Sequence, residues 1–390
     1  FLVLRDYAGG VKFDENETQK EKGVILEEAK KDFERRFYEK RAVYLYPNSV
    51  FSRRFPIGKN EIISSATGEQ LRKFYERNYL PSAISVIVVG DVDIAQIKTL
   101  IEQHFDSLEP RGERIERDLG LHPFKAGFAN TYETELGANV ASVLYADAYK
   151  PLTTVGALKD AWLQAYVAKL MGLGYDAMNV NSKTPLKAYF GSDDLFKRRK
   201  LYSLSANIFN FDTNATLSSL FSAIKGVREH GFSDDDFGSV KAEFINELEA
   251  DLLKNDTQSS QVGAILDYVQ NGNFKLSKQD EHDLSLEILN EITLKDVNEF
   301  FVRITDGARF TELISTKNLG LSEADENKLY ESAMPFDFSG AALEKKELAG
   351  ADLKPKKFST KKGGSGIEIL TFANGAKVYL KPLKSEKNRV

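Results

Sequence analysis

The chain has 390 residues, more than a single hydrophobic core usually organises, so we expect at least two domains. A composition of 42% apolar, 28% charged and 11% aromatic residues is typical of a folded globular protein and excludes disorder. The net charge of -5 disfavours a nucleic-acid partner, and the absence of cysteine means that any metal is held by His, Asp or Glu.

The opening decapeptide FLVLRDYAGG has no initiating Met and is too short an apolar run to span a membrane. It is typical of the interior of a larger protein. Helical spacing of apolar residues then predicts one long helix over residues 17–41. A loop with two prolines follows in the sequence YPNSVFSRRFPIGKNE.

The next stretch predicts two capped helices with a strand between them. Thr67 is suited to cap a helix over residues 68–79, and Asp93 a helix that runs to about residue 105. Between these helices, the β-branched run SAISVIVVGDVD predicts a buried strand. The charged, turn-rich passage PRGERIERDLGLHPFKAG is the best candidate for a linker between domains.

After this linker the order of elements repeats in outline. Alternating apolar residues predict strands in ANVASVLYADAY and KLYSLSANIFNF, and helical spacing predicts helices over residues 155–171, 216–229 and 234–254. The low apolar content of residues 319–366 indicates a long connection. Two alternating runs around Ala373-Asn374-Gly375 then predict a β-hairpin.

Two carboxylates lie seven residues apart on the first long helix. Glu21 and Glu28 share one face, two turns apart, with Val24 and Ile25 between them. From the pattern alone, the ordinary interpretation is a pair of solvated, helix-forming residues.

That interpretation changes because EKGVILEE resembles the stretch Glu-Arg-x-Val-Ile-x-x-Glu of the pitrilysin or insulinase-type zinc peptidases, family M16. Lys22 stands here where Arg is more usual. The segments FPIGKNE, FYERNYLPSAISVIVVGDVD and FANGAKVYLKP are also similar to the family, so the resemblance covers residues 1–110 and 366–390 well. It implies that Glu28 is the third zinc ligand of the parent protein and Glu21 an acid that supports it from outside the coordination sphere.

The family's other zinc ligands and its general base lie in a His-x-x-Glu-His motif, which does not occur in this sequence. The four histidines are His104, His122, His230 and His282, and no two of them lie four residues apart. We interpret His104 and His230 as structural residues at helix ends, and the basic cluster 197–200 as solvated residues at the start of a strand. We therefore expect no catalytic residue in this chain and no zinc bound by it alone.

The resemblance implies an α+β fold of the LuxS/processing-peptidase-like metallohydrolase kind, with antiparallel sheets backed by helices. Residues 1–115 would complete a first domain, residues 116–345 form a second, non-catalytic domain, and residues 346–390 form a connector and the first strands of the next half. The parent would hydrolyse peptides with zinc-activated water and work with the remaining half or a partner subunit. The alternative is a non-catalytic partner or scaffold subunit with the same fold. A periplasmic or cell-envelope location is favoured over the cytoplasm.

Overall fold

The computed structural model describes residues 1–31, 33–135, 137–180, 186–339 and 357–381, without the side chains of residues 31 and 33–37. Contacts divide the chain into two compact units, Phe1–Leu343 and Glu344–Val390. The predicted boundary at residues 115 and 116 falls inside the first unit, and the three-domain division stays a prediction.

Helices make up the regular structure of the first 126 residues. They are α1 to α6, with bounds Leu2–Gly9, Glu15–Lys31, Phe33–Leu45, Asn60–Ser65, Gly68–Asn78 and Ile94–Phe105. The helix predicted over residues 17–41 corresponds to α2 and α3, and residue 32 between them lies outside the described residues. Both predicted caps are confirmed, because Thr67 accepts a hydrogen bond from the Gln70 amide at 3.2 Å and Asp93 from the Gln96 amide at 3.0 Å.

The buried strand predicted from SAISVIVVGDVD is wrong. A single 3₁₀ turn, Pro81–Ala83, is followed by residues without strand pairing, and Val88 and Val92 are 37% and 43% exposed. The backbone at Ile84 is extended, as the sequence favours. An extended segment becomes a strand only when a neighbour satisfies its amide and carbonyl groups, and none of the described strands lies beside it.

A five-stranded sheet organises the rest of the first unit. Its strands β1 to β5 are Gly127–Tyr132, Val140–Ala148, Ala188–Leu195, Arg199–Asn207 and Phe310–Ser315, in the spatial order β1-β5-β2-β4-β3. Every pair is antiparallel except β1 with β5. The predicted α+β class with helix-backed antiparallel sheets is confirmed, with this one parallel pair as a detail that the sequence does not indicate.

Strand β2 is buried on both faces of the sheet. Ala141, Val143 and Tyr145 point into the main core, where they meet the helices that cover one face. Leu144 points to the opposite face and belongs to a smaller cluster with Leu45 of α3. Helix α3 therefore covers part of the second face of the sheet.

Seven helices pack around the main core or extend from it among the described residues. They are α7 to α13, with bounds Val155–Asn179, Thr213–His230, Asp234–Leu252, Gln258–Asn271, Lys278–Glu291, Leu294–Ile304 and Glu323–Ser332. The predictions over residues 155–171, 216–229 and 234–254 are confirmed as α7, α8 and α9, and strands β2 and β4 as the two predicted strands.

The long connection predicted over residues 319–366 is wrong in its first part. Helix α13 lies there, begins at the Ser322 cap and packs against α8. The segment after it inserts Phe338, which is 2% exposed, into the core against Gly174. Phe336 and Phe338, which pack in and against this core, anchor a segment of low average apolar content.

The second unit contains a three-stranded antiparallel sheet, with strands β6 to β8 at Phe358–Lys362, Glu368–Phe372 and Lys377–Leu380. The predicted hairpin is confirmed as β7-β8. Its turn uses Gly375 at φ 84°, a conformation that favours glycine, and the Asn374 side chain accepts from the Ala376 amide at 3.1 Å.

Candidate functional site

Helix α2 turns its two candidate carboxylates to solvent. Glu21, Val24 and Glu28 lie along one exposed stripe, and Val24 is 59% exposed. Ala29 is buried on the neighbouring side of the helix, and Ile25 is half-buried between that side and the stripe. A β-branched residue between two solvated acids is unusual on a free helix face, because burial normally favours it.

Polar contacts fix the start of α2 against the helices that follow. A carboxylate oxygen of Glu15 accepts from the Gly68 amide at the beginning of α5, at 2.8 Å. This backbone hydrogen bond lowers the pKa of Glu15 below its ordinary value. The Lys22 ammonium, at the position where the family has Arg, donates to the Ser64 carbonyl of α4 at 3.2 Å.

Glu28 does not form a complete zinc site with the residues that the structure describes. Catalytic zinc takes three protein ligands and a water. Across the described ranges no group of three His, Asp or Glu side chains is placed to hold a metal ion. Glu28 offers one exposed carboxylate, which by itself is too few ligands for catalytic zinc.

Three of the four histidines lie in helices. His104, near the end of α6, stacks on Phe1 with ring centroids 6.4 Å apart. His230 is the last residue of α8, and Gly231 caps that helix with φ 76°, as the sequence predicts. His282 of α11 is 9% exposed, and its Nδ1 lies 2.8 Å from the Asp283 carboxylate. That hydrogen bond raises the pKa of His282 above its ordinary value.

A buried charge cluster joins the N-terminal helices to the sheet. Glu312 of β5 is 1% exposed, and its Oε1 accepts from Arg41 Nε of α3 at 2.7 Å and from the Tyr44 hydroxyl. Burial alone would lower the pKa of Arg41, but the Glu312 carboxylate raises it above its usual range. Burial and the same carboxylate raise the pKa of Tyr44. Arg41 therefore stays positively charged and Tyr44 stays neutral at neutral pH.

Sequence reasoning missed this cluster because Arg41 and Glu312 are 271 positions apart. The second carboxylate oxygen, Glu312 Oε2, is buried without a hydrogen-bond partner among the described residues. Tyr44 also stacks on Phe310 with centroids 5.7 Å apart. One interior acid in a β-branched and aromatic strand is the only sequence signal that marks it.

The basic cluster 197–200 lies at the turn between β3 and β4 and at the first residues of β4. Lys197 and Arg198 are exposed in the turn, and Lys200 pairs with Asp194 at 3.6 Å. The Arg199 guanidinium donates to the His122 carbonyl and lies 5.7 Å from the Phe124 ring centroid. These contacts are typical of residues at the start of a strand, as the sequence predicts.

Comparisons with known proteins relate part of this chain to a known family. The profile of the family described as "Peptidase M16 inactive domain" matches residues 65–244. The probable zinc protease PqqL of Haemophilus influenzae is 22% identical over 387 residues, which are 96% of this chain and 40% of that protein.

Two crystal structures show the same fold. The periplasmic protease PqqL from Escherichia coli superposes with a TM-score of 0.77 at 21% identity, over 99% of this chain and 44% of that one. The first half of the same protease superposes with a TM-score of 0.74 at 20% identity, over 85% of this chain and 73% of that one.

This chain spans less than half the length of the relatives that it matches from end to end. None of the helices in the described ranges combines the length and the apolar character that crossing a bilayer requires. The profile match, the relatives and the shared fold agree with the resemblance of the sequence to the M16 peptidases. Residues 65–244 match the domain type described as inactive in the peptidase M16 family, and most of the chain is similar to a relative named as a probable zinc protease.

Proposed function

We propose that this chain is the non-catalytic part of a zinc metalloendopeptidase that hydrolyses peptides with zinc-activated water. The observation that carries the proposal is the match of residues 65–244 to the inactive domain of the family. The relatives matched over most of the chain are named as zinc proteases or proteases. The described residues contribute a fold and a surface rather than a nucleophile or a general base.

Within the longer protein, Glu28 would supply the third zinc ligand and Glu21 would support it. The exposed stripe of Glu21, Val24 and Glu28 supports this assignment, because it offers a carboxylate and an apolar contact on the same face of α2. A second helix that carried two zinc-binding histidines would have to pack on this stripe. The periplasm is the proposed compartment, as for the E. coli relative, whose description names it a periplasmic protease.

The test compares this chain with the longer protein that the proposal implies. Both are incubated with zinc and a quenched, unstructured fluorescent peptide, with and without a chelator. We expect chelator-sensitive turnover from the longer protein and none from this chain, because one carboxylate does not hold catalytic zinc. Turnover by this chain that a chelator abolishes would contradict the proposal. Absence of turnover from both would favour the partner or scaffold role instead.

A further inference from the structure

A groove rich in positive charge opens on the surface of the N-terminal helices. Helix α5 forms one wall, and the irregular segments 50–54 and 117–119 form the other. The Val50 amide donates to the Leu119 carbonyl at 2.9 Å, and the Arg117 guanidinium donates to Asn78 Oδ1 at 3.3 Å. These two bonds fix the walls around a cavity of about 500 Å³.

Four cations line this groove, which we call the basic groove: Arg54, Lys73, Arg77 and Arg117. No Asp or Glu is among the described residues that line it. Lys73 pairs with Glu69 at 2.7 Å, and the Arg117 guanidinium donates to the neutral amide of Asn78. The guanidinium groups of Arg54 and Arg77 make no ion pair within the described part of the chain.

Like charges placed together in this way repel one another. Lys73 and Arg77 are four residues apart on the same face of α5, and Glu69 forms an ion pair with Lys73 but not with Arg77. Arg54 and Arg117 add their charge from the opposite wall. A bound anion would relieve the repulsion, and two free guanidinium groups are suited to carboxylates because they donate paired N–H groups.

An exposed aromatic ring lies among the cations. Phe74 lines the same groove and is 58% exposed. A simple inorganic anion would leave this ring in water, whereas a peptide with both acidic and apolar side chains would cover it. The ring therefore favours an amphipathic ligand over a small anion.

We propose that the basic groove binds an acidic peptide segment, with carboxylates on Arg54 and Arg77 and an apolar side chain on Phe74. The choice of a peptide rests on the proposed function. The net charge of -5 acts against a nucleic acid, whose repeated phosphates would meet the negative surface around this local patch. Neither the groove nor its ligand depends on zinc.

Fluorescence anisotropy of the purified chain tests the proposal. The probe is a labelled ten-residue peptide with four Glu and two Phe, and its counterpart has Gln in place of Glu. We expect the Glu peptide to bind about tenfold more tightly at low salt and to lose most of that advantage at 0.2 M salt, because exposed pairs are screened. Equal binding of both peptides would overturn the proposal.

Matched variants separate the groove from general charge. Arg54→Gln with Arg77→Gln removes two groove cations, and Lys98→Gln with Lys125→Gln removes two exposed cations outside it. We expect the first pair to weaken binding about fivefold, Phe74→Ser about threefold, and the second pair hardly at all. Circular dichroism verifies that the helices persist in each variant.

Two results would contradict the assignment. Equal losses from both pairs of variants would mean that the peptide responds to overall charge and not to the groove. Equally tight binding of a ten-nucleotide single-stranded DNA, with the same dependence on Arg54 and Arg77, would mean a polyanion site and not a peptide site. Because the assay measures binding and not turnover, a negative result here leaves the proposed peptidase role standing.

Discussion

The N-terminal region, residues 1–126, and the sheet region, residues 127–339, both contain several α-helices. The two regions differ in what the apolar faces of those helices cover. In the sheet region, apolar faces close over β2 and β4, and residues such as Phe221 and Leu289 are fully buried. In the N-terminal region the described helices leave Leu2, Tyr7 and Ile62 more than 60% exposed.

A sheet accounts for this difference. The described strands of the first unit all come from residue 127 onward, and the one segment before it with strand-forming sequence has no partner. Helices satisfy their own backbone, whereas strands depend on neighbours that are distant in sequence. The N-terminal region therefore rests on polar contacts such as Tyr75 to the Tyr7 carbonyl, at 2.6 Å, and on its attachment to the sheet.

The largest expected effect is in limited proteolysis. We expect a non-specific protease to remove the N-terminal region first and to leave a fragment of about residues 116–345, because exposed backbone with few buried contacts opens more often. Intact mass of the surviving fragment gives its boundaries. Survival of residues 1–115 with early loss of the sheet region would show that the N-terminal region is the more resistant of the two.

The buried attachment of α3 can be broken directly. Arg41→Met leaves the Glu312 carboxylate buried and uncompensated, so we expect the attachment to lose about 3–5 kcal/mol. Hydrogen exchange of the α3 amides measures the loss. The matched control is Lys40→Met, which removes a more exposed pair with Glu133 at 3.1 Å and should cost less than about 1 kcal/mol. Equal effects would show that burial does not decide the strength of the attachment.

Core packing of the sheet region is tested by two glycines on α7. A Cβ at Gly174 would lie 1.7 Å from the Phe338 ring, so Gly174→Ala should cost about 1–3 kcal/mol or more through overpacking. At Gly172 nothing lies within 4 Å, and Gly172→Ala should stabilise the helix by up to about 1 kcal/mol. Trp162, the only tryptophan, reports urea unfolding of this region. Destabilisation by Gly172→Ala would contradict the packing described for α7.

The smallest expected effect is a pH dependence of the thermal stability of the sheet region. His282 has a raised pKa because of its hydrogen bond to Asp283, and Glu249 of α9 lies 3.4 Å from its Nε2. A group with a raised folded-state pKa stabilises fully below its unfolded pKa of about 6.5, and the stabilisation is lost as pH rises through the folded value.

The thermal midpoint of the wild-type chain should therefore fall more steeply than that of His282→Gln as pH increases above about 6.5. Trp162 fluorescence again follows the transition. Parallel pH profiles for the two proteins would remove His282 as the cause.

Local signals predicted the helices and the strands that carry a regular pattern. Thr67 and Asp93 mark helix starts by side-chain chemistry alone, and the Asn374-Gly375 pair marks the hairpin. Strand β5 was not predicted from the sequence because Glu312 interrupts its apolar pattern. The edge strand β3 was not predicted because Asp193 and Asp194 give it the composition of a loop. Both depend on partners that a local pattern does not contain.

The candidate sites also differ in whether local sequence patterns or distant partners form them. The carboxylate pair of α2 follows from helical periodicity and the family resemblance, and the structure places both acids on one exposed stripe. The basic groove could not be predicted, because Arg54 and Arg117 meet α5 only through the fold. The i, i+4 cations Lys73 and Arg77 are its one local signal.

The zinc affinity of the proposed longer protein tests the central claim most directly. Variants Glu28→Gln, Glu21→Gln and Glu27→Gln change neighbouring acids on α2 by the same chemistry. We expect Glu28→Gln to lower zinc affinity by well over the roughly tenfold loss expected for Glu21→Gln, and Glu27→Gln to leave it unchanged. Zinc affinity that is unaltered in Glu28→Gln, or an unsubstituted protein that binds no zinc, would contradict the account.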